Sequence, residues 1–150
     1  MVGIGYDSHR FVDGRPLVLG GVEIDHPQGL DGHSDADVLT HAVIDAILGA
    51  VGGGDIGTLF PPEDERWRGA DSIDLLRTAI GTIGGMVVNI DATLICEAPR
   101  LGPYKAEMER TLGDATSARV SVKATTNEGM GWIGRGEGIA CIAVAQVEDS

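Results

Sequence analysis

Asp7 and His9 stand two apart in Val2-Gly3-Ile4-Gly5-Tyr6-Asp7-Ser8-His9, where apolar residues alternate with small or polar ones. Such alternation reads as a strand, and strand residues two apart project from one face, so a carboxylate and an imidazole converge there. His41 follows Ser34 by seven residues. With Ser34 as a helix N-cap, His41 falls about two turns into the helix, and a helix crossing the end of the strand brings its imidazole to the pair. Asp, His and His form the kind of three-ligand set that catalytic Zn2+ sites use, with a position left for water or substrate. A polar strand end and a half-buried helix histidine have the same spacing, and on spacing alone that plainer description is favoured.

Two further segments carry residue types suited to anions. His33-Ser34-Asp35-Ala36-Asp37 sits at the predicted helix start, where free amides and the helix dipole attract negative charge, so a phosphate could sit beside His33. A good helix start alone accounts for Ser34, Asp35 and Asp37, but leaves His33 unexplained. Lys123-Ala124-Thr125-Thr126-Asn127-Glu128 runs into a glycine-rich stretch holding Gly134-Arg135-Gly136-Glu137-Gly138. Hydroxyls, a carboxylate and two cations beside flexible backbone suit an oxyanion or a diphosphate. A tight loop closed by an Arg135–Glu137 salt bridge fits the second half equally well. Asp55-Ile56-Gly57 and Phe60-Pro61-Pro62-Glu63-Asp64 offer acids that could orient sugar-like hydroxyls, although composition favours a solvated loop.

The elements that must position these residues follow from periodicity. Leu17–Leu19 and Val22–Ile24 flank Gly20-Gly21, a two-residue hairpin signal. The helix starting at Ser34 runs on to the glycines at 49–54. Residues 55–69 form a Pro- and Gly-punctuated loop of fifteen residues, long enough to be a functional lid. Residues 72–83 have a 3.6-residue period ending at Gly84-Gly85, and residues 103–112 read as a short helix ended by Gly113. Strands are expected over 87–95, 119–124 and 139–147, the last apolar enough for a sheet buried on both faces or for an oligomer interface. The sum is an α+β fold in one domain, residues 1–150, with a mixed four-stranded sheet, helices mainly on one face and a small β-hairpin.

Composition narrows the partners. Eleven Lys and Arg against 23 Asp and Glu give a net charge of -12, which repels nucleic acid and anionic lipid. A phosphorylated substrate would have to be met by metal ions, a few placed cations or backbone amides. No apolar run approaches the ~20 residues of a membrane span. Met1 leads straight into the first strand, so no signal peptide is expected and the cytoplasm is the expected setting. Cys96 and Cys141 sit in apolar surroundings and read as buried thiols. Twenty-three Gly and 4% aromatics leave a modest core, which association into an oligomer would help to bury.

Six blocks in order span nearly the whole chain: Tyr6-Asp7-Ser8-His9; Gly32-His33-Ser34-Asp35-Ala36-Asp37-Val38 with His41; Gly54-Asp55-Ile56-Gly57 before Phe60-Pro61; Gly69-Ala70-Asp71-Ser72; Lys123-Ala124-Thr125-Thr126; and Gly134-Arg135-Gly136-Glu137-Gly138-Ile139-Ala140. Together they resemble the 2-C-methyl-D-erythritol 2,4-cyclodiphosphate synthases. The resemblance implies an enzyme of non-mevalonate isoprenoid biosynthesis in the bacterial cytoplasm. It would convert 4-diphosphocytidyl-2-C-methyl-D-erythritol 2-phosphate into the cyclic diphosphate and CMP by intramolecular phosphoryl transfer. Asp7, His9 and His41 would bind a divalent metal, usually Zn2+, and Glu128 would help hold Mg2+ or Mn2+ at the diphosphate. His33 and Thr126 match positions that stabilise the transition state. Ser34 would contact substrate, and Asp55, Ile56, Gly57 and the Phe60, Pro61, Pro62, Glu63, Asp64 loop would face the methylerythritol side. Cys96, Glu97, Ala98, Pro99, Arg100, Leu101 and Gly102, with Thr125, Thr126, Asn127 and Glu128, would hold the cytidine diphosphate. The resemblance further implies a homotrimer with active sites shared between subunits, and a central cavity near Trp132, Arg135 and Glu137 able to accept an isoprenoid diphosphate. Asn127 and Trp132 depart from the Thr and Phe common at those positions. Two other functions use the same residues: a metal-dependent phosphohydrolase, which would liberate phosphate rather than CMP, and a non-catalytic trimer that binds isoprenoid diphosphates.

Overall fold

The glycines of the first strand let a helix approach the sheet. The computed structural model describes residues 1–150, and β1 (Val2–Val12) turns Gly3, Gly5, Asp7 and His9 to one face and Val2, Ile4 and Tyr6 to the other. β7 (Gly138–Asp149) pairs antiparallel beside it, with Gly5 opposite Ala143 and Gly3 opposite Ala145. β5 (Gly85–Ile95) extends the row, Ala92 lying opposite Ala143. Against this stripe of small residues lies α1 (Val38–Ala50), so close that a Cβ on Gly5 would strike the Ala42 carbonyl and one on Gly3 that of Ala46.

β6 (Arg119–Thr125) is parallel to β5 and β4 (Gly29–Leu30) pairs with the end of β1, giving the order β4-β1-β7-β5-β6. The fold is α+β with a mixed sheet, as the sequence indicates. The sheet has five strands rather than four because β4 contributes only two residues, too few to leave a periodic signal. A parallel pair needs a crossover, supplied by α4 (Lys105–Thr116) after a 3-10 turn over Gly102–Tyr104. Gly113 does not end α4 as expected. The helix runs on to Ser117, whose left-handed backbone (φ 59) and N–H bond to the Gly113 carbonyl form the cap.

The hairpin of β2 (Leu17–Leu19) and β3 (Val22–Ile24) forms as read, with Gly20 and Gly21 both at the positive φ (60 and 72) that its two-residue turn requires. The start of α1 differs from the expectation. Ala36 is left-handed (φ 57), so no helix runs through it from Ser34, and Asp37 is the N-cap. The Asp37 carboxylate is fully buried. It accepts from the amides of Gly20, Gly21 and Thr40 and from the hydroxyls of Thr40 and Ser72, all at 2.7–3.0 Å. This ties the hairpin turn to the starts of α1 and α3 (Ser72–Thr82). His41 accordingly lies in the first turn of α1, not two turns in.

Residues 55–69 are not structureless. α2 (Ile56–Leu59) is capped by Asp55 and a 3-10 turn over Glu65–Trp67 by Asp64, each too short to show a 3.6-residue period. Ala92, Val122, Ala143 and Gly5 share one row, so α1 and α4 cover the same face. On the other face Val2, Ile4 and Tyr6 are 69%, 70% and 54% exposed, beside Ile142 and Val144. No helix is long and apolar enough to cross a membrane.

Gly5→Ala should lower the unfolding free energy by about 2 kcal/mol or more, because the added methyl meets backbone that cannot yield. The check is the urea midpoint, which should fall at unchanged slope; a wild-type midpoint would contradict the close approach of α1.

Candidate active site

Asp7 Oδ2 lies 2.8 Å from His9 Nε2 and 3.3 Å from His41 Nδ1. One ligand atom from each of the three residues lies within 4.8 Å of the others. The remaining nitrogen of each imidazole has a fixed partner: His9 Nδ1 donates to the Asp31 carbonyl at 2.8 Å, and His41 Nε2 is 3.2 Å from Ser34 Oγ. Such outer partners set ring orientation and tautomer in metal sites. A carboxylate oxygen and two oriented imidazole nitrogens, converging and partly shielded, fit a divalent cation.

Charge reinforces the geometry. Burial disfavours the ionised Asp7 carboxyl, but hydrogen bonds from His41 and His9 and their positive charge prevail and lower its pKa. Burial equally opposes the His41 imidazolium, yet the Asp7 bond and the nearby Asp37, Asp7 and Asp35 carboxylates raise its pKa above the ordinary imidazole value. Without a cation the contact thus favours the carboxylate and imidazolium forms, and a cation bound at His41 Nδ1 competes with a proton there.

Beside the triad opens a cavity of about 180 Å³ lined by Asp7, His9, His33, Ser34, His41, Ile56, Gly57, Phe60, Pro62, Trp67 and Leu75. Two of its lining side chains carry buried nitrogens with no partner, His33 Nε2 and Trp67 Nε1. A buried polar atom left unpaired costs about 1–3 kcal/mol, which a ligand bearing polar groups would recover. His33, which a helix start alone leaves unexplained, thus faces this cavity with its Nε2 unpaired. At the helix start Ser34 Oγ accepts from the Ala36 amide, Asp35 from the Asp37 amide and Asp37 from the Thr40 amide.

Trp67 and Leu75 were not legible as site residues. Leu75 lies on the buried side of an amphipathic helix, and Trp67 stands in a segment without periodicity, where the one available signal is a large aromatic in an aromatic-poor chain. Its ring meets Phe60 edge to face at 4.8 Å. Asp45 was missed as well. One turn after His41, its carboxylate accepts from the Ile56 amide at 2.7 Å and ties α1 to α2.

The remaining residues do not line this cavity. Asp55 is occupied with the amide and hydroxyl of Thr58, and Asp64 with Arg66. Pro61 and Glu63 lie on the same segment, outside the lining. Cys96–Gly102 and Thr125–Gly129 instead meet each other: the Cys96 amide donates to the Thr125 carbonyl, and Glu97 accepts from the amides of Asn127 (2.7 Å) and Gly129 (3.2 Å). The Glu97 side chain is thereby committed to backbone, leaving Ala98, Pro99 and Arg100 as the accessible part of that loop, while Leu101 is buried next to Gly102. Asp7 pairs with Cys141, Cys141 with Leu94 and Leu94 with Ala124, so three strand spacings, about 14 Å, separate Asp7 from the strand that leads to Thr126 and Glu128. Arg135 pairs with Glu137 at 2.6 Å. Trp132 lines a separate, larger cleft of about 690 Å³ with His9, Arg10, Phe11 and Gln28.

The chain is similar to proteins of one known family. The family model described as YgbB family matches residues 1–148. The chain is 56% identical to the 2-C-methyl-D-erythritol 2,4-cyclodiphosphate synthase of Symbiobacterium thermophilum, covering 98% of both chains. Its fold is similar to the structure of the bifunctional IspDF from Campylobacter jejuni (TM-score 0.94, 41% identity), covering 99% of this chain and 42% of that one. It is also similar to a 2C-methyl-D-erythritol-2,4-cyclodiphosphate synthase structure in a CDP-bound form (TM-score 0.90, 36% identity, 99% and 100% covered).

Titrating chelator-treated protein with Zn2+ as a probe should release a proton from His41. Affinity should fall as pH drops through the raised His41 pKa, since protonation competes with the metal. His41→Ala should bind at least about tenfold more weakly and lose that proton release. Calorimetry in two buffers of different ionisation enthalpy reads both effects; equal affinity in the variant would contradict the ligand assignment.

Proposed function

The chain belongs to the YgbB family, and from that membership we propose that it converts 4-diphosphocytidyl-2-C-methyl-D-erythritol 2-phosphate into 2-C-methyl-D-erythritol 2,4-cyclodiphosphate with release of CMP, in non-mevalonate isoprenoid biosynthesis. The observation that carries the reading is the convergence of Asp7, His9 and His41 on a cavity that also holds the unpartnered His33 Nε2. An oxygen of the 2-phosphate attacks the β-phosphorus, and the bond from that phosphorus to the bridging oxygen breaks, leaving with CMP. Little covalent chemistry falls to the protein, so positioning and charge stabilisation do the catalysis.

Asp7, His9 and His41 would hold Zn2+, which supplies positive charge to the phosphate oxygens. His33 Nε2 is free to donate a hydrogen bond where negative charge builds on the transferring group. Ser34 fixes the His41 ring and borders the same space. Ile56, Gly57 and Phe60 wall the methylerythritol side and exclude water, with Asp55, Pro61, Pro62, Glu63 and Asp64 completing that loop. The Cys96–Gly102 loop and Thr125 are assigned to the cytidine, Thr126 to the transition state, and Glu128 to a second cation, Mg2+ or Mn2+. Two cations would offset the excess of carboxylates locally.

Thr126 and Glu128 lie across two strands from the triad of their own chain, and the bare Val2, Ile4, Tyr6, Ile142 and Val144 face is of the kind that marks association. Both features support a homotrimer, each subunit a single domain, in which the triad of one copy meets the Thr126–Glu128 loop of another. The region of Trp132, Arg135 and Glu137 is then assigned to a central cavity for an isoprenoid diphosphate, and the bacterial cytoplasm is the setting.

Incubation with the cytidyl substrate and Mg2+, with and without Zn2+, followed by phosphorus NMR, should show CMP and the cyclic diphosphate, both lost on chelation. Inorganic phosphate without the cyclic product would overturn the reading in favour of a hydrolase. His33→Ala should retain the fold and lose about 100-fold in kcat.

A further inference from the structure

Arg15, in the turn between β1 and β2, has no part in the site as built so far, yet its guanidinium reaches the segment that carries His33. Nη1 donates to the Gly32 carbonyl at 2.7 Å and Nη2 to the Ser34 carbonyl, while Nη1 lies 4.0 Å from the Asp31 carboxylate. The two accepting carbonyls flank His33. Residues 31–35 belong to no helix or strand, so no repeating backbone ladder holds them. Single bonds do: the Asp31 amide to the Arg10 carbonyl, the Gly69 amide to the His33 carbonyl, and the Asp35 amide to the Ala70 carbonyl. Only Arg15 grips the chain on both sides of His33 with one rigid group.

We propose that Arg15 is a positioning residue for the reaction: clamping the carbonyls of Gly32 and Ser34 fixes the backbone from which the His33 imidazole enters the cavity. The inference rests on the reading that His33 acts on the transferring phosphate. Its physical basis is the planar guanidinium, whose two Nη groups donate in fixed relative directions. A lysine ammonium, a point charge on a flexible stem, cannot reproduce that span. Displacement of a reacting group by about 1 Å can cost on the order of 100-fold in rate without removing the group.

The test compares Arg15→Met, Arg15→Lys, His33→Ala and the Arg15→Met/His33→Ala double variant in full-length protein, each with its melting temperature and Zn2+ content. Arg15→Met should lower kcat about 10- to 100-fold while KM changes less than about threefold, and Arg15→Lys should not restore the rate. Added guanidinium ion at non-denaturing concentration should recover part of the kcat lost in Arg15→Met. In the His33→Ala background the Arg15 change should cost less than about threefold, since a residue acting through His33 has nothing left to position. Wild-type kcat in a folded Arg15→Met protein, or in folded Arg15→Lys where the Met variant does not fold, would overturn the inference. So would fully additive losses in the double variant. Wild-type turnover by His33→Ala would bring down the His33 reading and this inference together, whereas an impaired His33→Ala beside an unimpaired Arg15→Met would bring down the Arg15 inference alone.

Discussion

Asp37 carries a carboxylate with no exposure to water, and burying such a charge costs several kcal/mol unless its oxygens are fully engaged. Five donors engage them, from the Gly20-Gly21 turn, the first turn of α1 and the start of α3. The first turn of α1 is thereby held to the hairpin and to α3. His41 lies in that turn, with Asp7 3.3 Å away. The ligand set therefore depends on a buried hydrogen-bond hub that contributes no ligand itself.

A second constraint acts from the sheet side. Gly3 and Gly5 on β1, with Ala143 and Ala145 on β7 and Ala92 on β5, leave room for α1 to lie against the strands. Only at that distance does the first turn of the helix place an imidazole beside a strand carboxylate. The use of small residues has its counterpart in a modest core and, on the opposite face, in bare apolar side chains. The close approach of α1 on one face of the sheet and the exposed apolar side chains on the other thus belong to the same two strands.

Much of this was legible in the sequence where a period or a turn signal is strong. The two-residue spacing of Asp7 and His9 places them on one face because strands alternate, Gly20-Gly21 announces its hairpin, and the 72–83 pattern announces α3. The start of α1 is ambiguous in the sequence because Ser34, Asp35 and Asp37 are all acceptable caps, and only the left-handed backbone of Ala36 decides among them. The turns at 56–59 and 65–67 are shorter than any helical repeat, so their side chains, Trp67 among them, could not be placed. The Glu97 carboxylate is committed to the Asn127 and Gly129 amides across the ends of β5 and β6, a long-range pairing that no local pattern encodes.

Completion of one copy's Asp7/His9/His41 cavity by the Thr126–Glu128 loop of another, as proposed above, is tested most directly by subunit mixing. His41→Ala and Glu128→Ala, each inactive alone, are unfolded together, refolded as a mixture, and assayed for CMP release from the cytidyl substrate. Random assembly should rebuild intact sites from the good triad of one variant and the good loop of the other in about a quarter of cases, so about a quarter of wild-type activity should return. A mixture that stays inactive, while refolded wild-type protein recovers fully, would contradict the shared site and require each chain to complete its own.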